Sequence, residues 1–430
     1  MPRCLLVSPH FPPSSLAGVH RARHLAKWLP RHGWQPTVIA VDPVHHAERL
    51  DPALRHLVPP ETSIVETGAL PLRLTTPFGL RGDIGLRGLA HLRAAIEREM
   101  AREPADLVFI TGSPFMPLLL GRGIGRRWNV PVVLDLQDPW VSREGATRRR
   151  WTKGWLSHQL ARRLEPRALR GANWITSVSE GQNDELAARY TWLDRARMSA
   201  IPIGGDPGDF DALRHSPTSD VAATPEPGTL EFRYVGTYLP RAEPVVRAVF
   251  RGLARLRARD PALAAKIRLR FVGTSNQPAG TAASHARHLV APLAAAEGVA
   301  DLVVESPARV PFLEALSLLA NSHAVLMLGS DEPHYTASKI YPALMSGRPY
   351  LSIFHEASSA HAVLSGAGGG IALAWRDGDQ EAMVEAVAEG LATLATTPDA
   401  CGCADPAAYA QVTADAVAGR FAALFDQLVV

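Results

Sequence analysis

Four loop segments carry side chains able to hold a charged, hydroxyl-rich ligand. Residues 134–140 (LDLQDPW) place Asp135 and Asp138 at the end of an apolar run. Carboxylates there can orient a sugar hydroxyl or act as a base. Asp135 can equally pair inside the loop, and Asp138 before Pro139 is a common turn residue. Gly236-Thr237 follows a run ending at Val235, with Arg241 just beyond. Such a Gly-Thr pair exposes backbone N–H groups, and Arg241 can neutralise phosphate or simply be a solvated loop charge. Residues 334–339 (HYTASK) bring Thr336, Ser338 and Lys339 to a helix start, which together seek an anion. Residues 8–20 (SPHFPPSSLAGVH) combine small residues with a helix beginning near Arg21. That loop is either a ligand cradle or a proline-stiffened turn; it lacks GxGxxG, so it is no dinucleotide fingerprint.

No metal site is expected. There is no DxD arrangement in a loop and no His/Cys cluster along the chain. Residues 366–370 (GAGGG) precede a strand rather than a helix opening with Lys-Ser/Thr, so they read as a turn.

Elements must hold these loops in place, and the rhythm of the chain supplies them. Apolar runs at 4–8, 36–41, 106–111, 131–136, 173–178 and 198–202 alternate with helical spacings such as 21–31 and 114–128. After residues 216–228, rich in Pro, Ser, Thr and Ala, the rhythm restarts. Strands are expected at 230–235, 267–272, 302–305, 324–328, 350–354 and 370–373. Helices are expected at 244–258, 283–297, 311–321, 339–345, 360–365, 380–393 and 406–430. Repeated βαβ units imply parallel sheets that bind ligands at the carboxyl ends of their strands. The expected domains are 1–215, a linker 216–228, and 229–405, with a helical tail 406–430.

Composition agrees with an enzyme. The 430 residues include 45 Lys+Arg and 42 Asp+Glu, a formal charge of +3, with 47% hydrophobic and 20% charged residues. This excludes disordered, collagenous and disulfide-scaffold classes and gives no reason to expect nucleic-acid binding. Three cysteines, no signal-like leader and no apolar run of about 18 residues point to a reduced, cytoplasmic protein.

In order, the segments VSPHFPP (7–13), HRARHLAKWL (20–29), GWQPTV (33–38), PVVLDLQDPW (131–140), ANWITSVSEG (172–181), IPIGGDPGDF (201–210), YVGT (234–237), RFVG (270–273) and SKIYPALMSGR (338–348) resemble GT-B glycosyltransferases. The resemblance is to the family 4-like group of retaining, nucleotide-sugar-dependent enzymes and spans nearly the whole chain. It implies two doubly wound Rossmann-like domains facing across a cleft, with a C-terminal helix returning to the first. The donor would be a nucleotide-diphosphate sugar, with no further cofactor. Carried over by position, Gly236, Thr237, Arg241, Thr336, Ser338 and Lys339 would hold the diphosphate, with Gly18 closing over it. Gln137 and Asp138 would line the sugar and acceptor side, and an imidazole would come from His20 or His10. His10, Ser113 and Glu180 would lie toward the acceptor.

Two positions depart from the pattern. The family often places a ribose-binding Glu after the Lys, where this chain reads Lys339-Ile340-Tyr341-Pro342. Many members carry a His where Gln137 stands. Glu332, His334 and Glu356 are the carboxylates and imidazole that would replace the missing nucleotide contact. These departures keep open a binding protein of the same fold, or a nucleotide-sugar epimerase or hydrolase.

The acceptor would be a cell-surface glycan, a lipid-linked intermediate or a small metabolite. Residues 143–170 hold nine Arg and Lys against Glu144 and Glu165, with Trp151, Trp155 and Leu156 interleaved. Such a segment either contacts an anionic membrane surface, placing the enzyme on the inner face of the membrane, or turns its Trp and Leu into the core. Residues 86–100 carry the same ambiguity.

Overall fold

Alternate residues of the first strand face opposite sides of one sheet. The computed structural model describes residues 1–76, 83–213, 227–277, 285–330, 338–376 and 378–429. In β1 (Arg3–Val7), Leu5 and Val7 join one apolar cluster, while Cys4 and Leu6 join another with Leu25, Leu29 and Trp34. Both faces of the sheet are therefore covered, as a fully parallel sheet requires.

The chain forms two units. Met1–Gly204 with Ala414–Val430 is the first, and Gly205–Thr413 the second. The breaks thus fall at 204/205 and 413/414, where the sequence suggested 215, 229 and 406. The expected linker lies largely outside the described residues; 205–213 pack within the second unit, where the helix Gly208–Leu213 lies.

The first unit holds a seven-stranded parallel sheet in the order β3-β2-β1-β4-β5-β6-β7. Its strands are β1, β2 (Gln35–Val41), β3 (Ser63–Thr67), β4 (Leu107–Gly112), β5 (Val132–Leu136), β6 (Trp174–Ser177) and β7 (Met198–Ala200). Sequence reading missed β3, an edge strand whose residues are mostly exposed and carry no core alternation. The helix Ala414–Val429 packs on this unit: Phe421 meets the Phe109 ring edge-on and Phe425 meets it at a tilt, and Trp34 Nε1 donates to Asp426 at 2.9 Å. The return of the C-terminal helix is as expected, but residues 406–413 are irregular apart from a short 3₁₀ turn.

The second unit holds six parallel strands in the order β10-β9-β8-β11-β12-β13. They are β8 (Leu230–Val235), β9 (Ile267–Gln277), β10 (Val303–Ala308), β11 (Ala324–Leu328), β12 (Tyr350–His355) and β13 (Gly370–Trp375). The helices Glu243–Arg259 and Gln380–Thr396 cover one face. The helix expected at 283–297 is reduced to Ala291–Ala296. Its start is set by buried Glu305, whose carboxylate accepts from the backbone N–H groups of Leu289, Val290 and Ala291 at 3.0, 3.0 and 2.8 Å.

Candidate functional site

Strand order reverses beside β1 and β4 in the first sheet, and beside β8 and β11 in the second. In open parallel sheets the crevice outside the carboxyl ends of such strands is where ligands bind. The loops after β1, β4 and β8, and Lys339 in the connection that follows β11, carry most of the expected site residues.

In the first unit the foundation is Asp135, at the end of β5 and fully buried. Its carboxylate accepts from Arg21 Nε at 3.2 Å and from the hydroxyls of Thr111 and Thr176 at 2.8 Å each. It therefore joins β4, β5 and β6 to the helix Val19–Trp28, and the pairing alternative is the one observed. Above it, the Gln137 side-chain amide donates to Thr111 Oγ1 at 2.7 Å and to the Gly18 carbonyl at 3.2 Å. A Cβ on Gly18 would sit 3.1 Å from the Ser113 carbonyl oxygen, so only glycine fits there without displacement. Gly18, Ser113 and Gln137 are thus brought together. The helix beginning at Val19 has no side-chain cap, and its first two N–H groups, those of Val19 and His20, donate to the Leu16 and Ala17 carbonyls at 3.1 and 3.3 Å.

Asp138 stands at the rim, reached by solvent, while protein atoms crowding its carboxyl push its pKa above the usual carboxylate range. His20 lies 3.3 Å from Arg23 Nη2, which also lies 2.9 Å from His24 Nε2. Burial, and then Arg23, holds His24 well below the ordinary imidazole pKa. Glu180 lies in the first turn of the helix Glu180–Arg189, which Ser179 caps, and pairs with Arg195 rather than with this group.

In the second unit, Gly236 closes β8 with φ +145°, a conformation glycine adopts freely. A Cβ there would lie 3.2 Å from Lys339 Cδ. Lys339 Nζ donates to Tyr234 Oη and sits 4.0 Å from the centre of that ring. Tyr234 Oη in turn donates to the Thr237 carbonyl at 2.9 Å. Burial lowers the Lys339 pKa to about 7. No carboxylate lies within ion-pair distance of it among the described residues. Gly236, Thr237 and Lys339 therefore gather as expected, and Tyr234 is the member that sequence reading did not single out. Its signal was its place two residues before Gly236 with its ring turned inward.

Ser338 precedes Lys339 and is half-buried. Thr336, with Glu332 and His334, lies outside the described residues. Arg241 is exposed on a turn and lines a depression of about 450 Å³ with Glu243, Arg247, Arg251, Trp375 and Gln380, residues other than the Gly236–Lys339 group. Pro342 lies inside the short helix Ile340–Met345, so the ribose-binding carboxylate of the family pattern has no counterpart there.

His10 is placed apart from Gly18 and Gln137, in a group that linear spacing hid. His10, His46 and Glu48 have ligand atoms all within 4.8 Å of one another. Burial opposes ionisation of Glu48, but hydrogen bonds from His10 and His46 outweigh it and hold the carboxyl well below its usual range.

The basic segment forms the helix Lys153–Leu169. Trp151 is 80% exposed, Leu156 52% and Leu160 45%, so these apolar side chains face solvent rather than the core. The buried side is built on Glu165, which accepts from Arg189, Tyr190 and the Val141 N–H. Among the described residues no helix is long and apolar enough to cross a membrane.

Comparison with known proteins places this geometry. Residues 18–204 match the family model described as a Glycosyl transferase 4-like domain. Three solved structures show the same fold at low identity. HepE (Alr3699) of Anabaena, in complex with UDP and glucose, is 15% identical, with 100% of each chain covered and a TM-score of 0.57. The UDP-forming trehalose-phosphate synthase of Burkholderia xenovorans, with glucose-6-phosphate, is 13% identical over 99% of this chain and 100% of that one, TM-score 0.60. UDP-GlcNAc 2-epimerase of Methanocaldococcus jannaschii is 9% identical over 99% and 100%, TM-score 0.53. No curated protein matches the sequence. The fold is GT-B, as the sequence implied.

Proposed function

We propose that this chain, whose residues 18–204 match the Glycosyl transferase 4-like domain model, moves a sugar from a nucleotide-diphosphate donor to an acceptor hydroxyl with retention of configuration. One observation carries the reading. At the strand-order reversal each sheet has a glycine with little room for a Cβ, set beside a polar group: Gly18 with Ser113 and Gln137, and Gly236 with Lys339 and Tyr234. Glycine in these places lets a backbone approach a ligand, and a half-buried ammonium without a carboxylate partner suits a diphosphate. The binding of UDP by HepE supports the same donor class.

In this account the charge developing on the leaving diphosphate is met within the second unit by Lys339, Ser338 and the Thr237 N–H. No metal is required at the diphosphate. Gln137 orients the Gly18 loop. Asp138, with its raised pKa, and His20 are the groups to accept the acceptor proton. Among the described residues at these loops, no closely spaced pair of carboxylates supports a double displacement.

The acceptor is a glycan, lipid-linked intermediate or small metabolite, and the Trp151–Leu156–Leu160 face with exposed Arg162, Arg163 and Arg167 supports work on a cytoplasmic anionic membrane surface. Incubation with nucleotide-sugar panels tests the function: release of nucleoside diphosphate with an acceptor-linked sugar of unchanged anomeric form is expected. Free epimerised sugar would identify the epimerase reading instead.

A further inference from the structure

The loops after β1 and β2 meet at one carboxylate oxygen. Glu48 Oε1 lies 2.7 Å from His46 Nδ1, 3.1 Å from His10 Nδ1 and 2.7 Å from Ser14 Oγ. His46 Nε2 lies 3.1 Å from the Val41 carbonyl, which can only accept. Nε2 must therefore carry a proton. In neutral His46 this leaves a lone pair on Nδ1 aimed at a carboxylate oxygen 2.7 Å away, two electron-rich atoms facing each other. Something positive must lie between them: a proton, carried by the ring or by the carboxyl, or a cation.

The surroundings fit a metal ion. A backbone carbonyl on the far nitrogen is the usual orienting partner of a metal-binding imidazole. Ser8 Oγ donates to the His10 carbonyl at 2.7 Å, fixing the other imidazole's backbone. The His46 side chain is 1% exposed, His10 7% and Glu48 20%, so the group is closed. Ligands on a tetrahedral ion with bonds of about 2.0–2.2 Å lie about 3.4 Å apart, so the two gaps to Glu48 Oε1 need to widen by less than about 1 Å. Two imidazoles and one carboxylate select a borderline ion of the zinc class over magnesium or calcium. Buried Arg87, whose charge acts on Glu48, is itself held by the carbonyls of Leu70 and His45 and faces Asp83.

We propose that His10, His46 and Glu48 bind one zinc-class divalent cation, with Ser14 beside it. The ion ties the loop carrying Gly18 to the loop after β2. It stands apart from sugar transfer and does not depend on the donor-site assignment.

The test is a Zn²⁺ titration of the full-length protein after dialysis against chelator, followed by calorimetry, thermal shift and, with Co²⁺, visible absorption. One equivalent should bind and raise the melting temperature, and the cobalt form should show four-coordinate bands without sulfur charge transfer. Glu48→Gln and His46→Ala should each abolish the stoichiometric event, while a Cys401→Ser/Cys403→Ser double variant should retain it. The cobalt spectrum of the unsubstituted protein reads the site even if a variant fails to fold. Absence of one-to-one binding, sulfur charge-transfer bands, or binding unchanged in both folded site variants would overturn the proposal and leave a proton-held imidazole pair.

Discussion

Lys339 Nζ lies over the Tyr234 ring, 4.0 Å from its centre, and donates to the Tyr234 hydroxyl, whose own proton goes to the Thr237 carbonyl. The aromatic face and phenol hold the ammonium at the end of β8 without neutralising it. That arrangement is costly unless an anion arrives.

The first prediction concerns stability. Burial lowers the Lys339 pKa from 10.5 to about 7. Between those values the unfolded chain binds more protons there than the folded protein does, so this residue makes stability rise with pH from about 7 to 10.5. Lys339→Met should remove that slope and raise the melting temperature most at or below pH 7. Thermal denaturation across pH 6–10, in both proteins, measures it; a lower melting temperature at pH 6 would contradict the account.

Nucleotide binding should show the opposite sign. A diphosphate favours the ammonium, so its affinity should fall as pH rises through about 7 toward 9, with proton uptake on binding. Calorimetry in buffers of different ionisation enthalpy reads that uptake directly. A pH-independent affinity with no uptake would show that Lys339 does not meet the phosphates.

Gly236→Ala should weaken donor binding while leaving the protein folded. The positive φ and a Cβ 3.2 Å from Lys339 Cδ place strain of about 1–3 kcal/mol at that turn, and Lys339 must move to relieve it. Nucleotide affinity and thermal shift, measured together, separate this from unfolding.

Asp135→Ala should destabilise without any direct effect on ligand contacts. Removing one partner of a buried ion pair costs about 3–5 kcal/mol, and here Arg21, Thr111 and Thr176 all lose their acceptor. Denaturant unfolding gives the value. Gln137→Ala should cost far less stability, about 1 kcal/mol, but lower turnover through the freed Gly18 loop.

Much of this was legible in the residues. Thr-Ser-Val after Trp174-Ile175, or Tyr-Val-Gly-Thr after Leu230, end strands in polar groups because the carboxyl ends of the sheet face ligand rather than core. Lys339 beside Gly236 follows from that rule together with strand order. What stayed hidden depended on side-chain direction and distance in sequence. Asp135 and Asp138 look alike in LDLQDPW, yet strand alternation buries the first under three donors and leaves the second at the rim. His10 and Glu48 are far apart along the chain, and only the β1–β2 pairing brings them together. Trp155 and Leu156 follow helical spacing, but their segment's inward side is taken by Glu165 and its ring of donors.

The membrane reading makes its own prediction. With Trp151 80% exposed beside Arg148, Arg149 and Arg150, the protein should sediment with vesicles containing anionic lipid and less so as salt rises. Trp151→Ala should reduce that binding several-fold and leave nucleotide affinity unchanged. Equal binding to neutral vesicles would contradict an electrostatic surface.

The central claim is that the Gly236–Lys339 group holds the diphosphate of a sugar donor. Calorimetry of UDP, GDP, ADP and dTDP with their common sugars, against the unsubstituted protein and Lys339→Ala, tests it most directly. The account predicts saturable one-to-one binding of one nucleotide series, lost or weakened about 10–100-fold in the variant. No binding across the panel, or equal affinity in the variant, would contradict it.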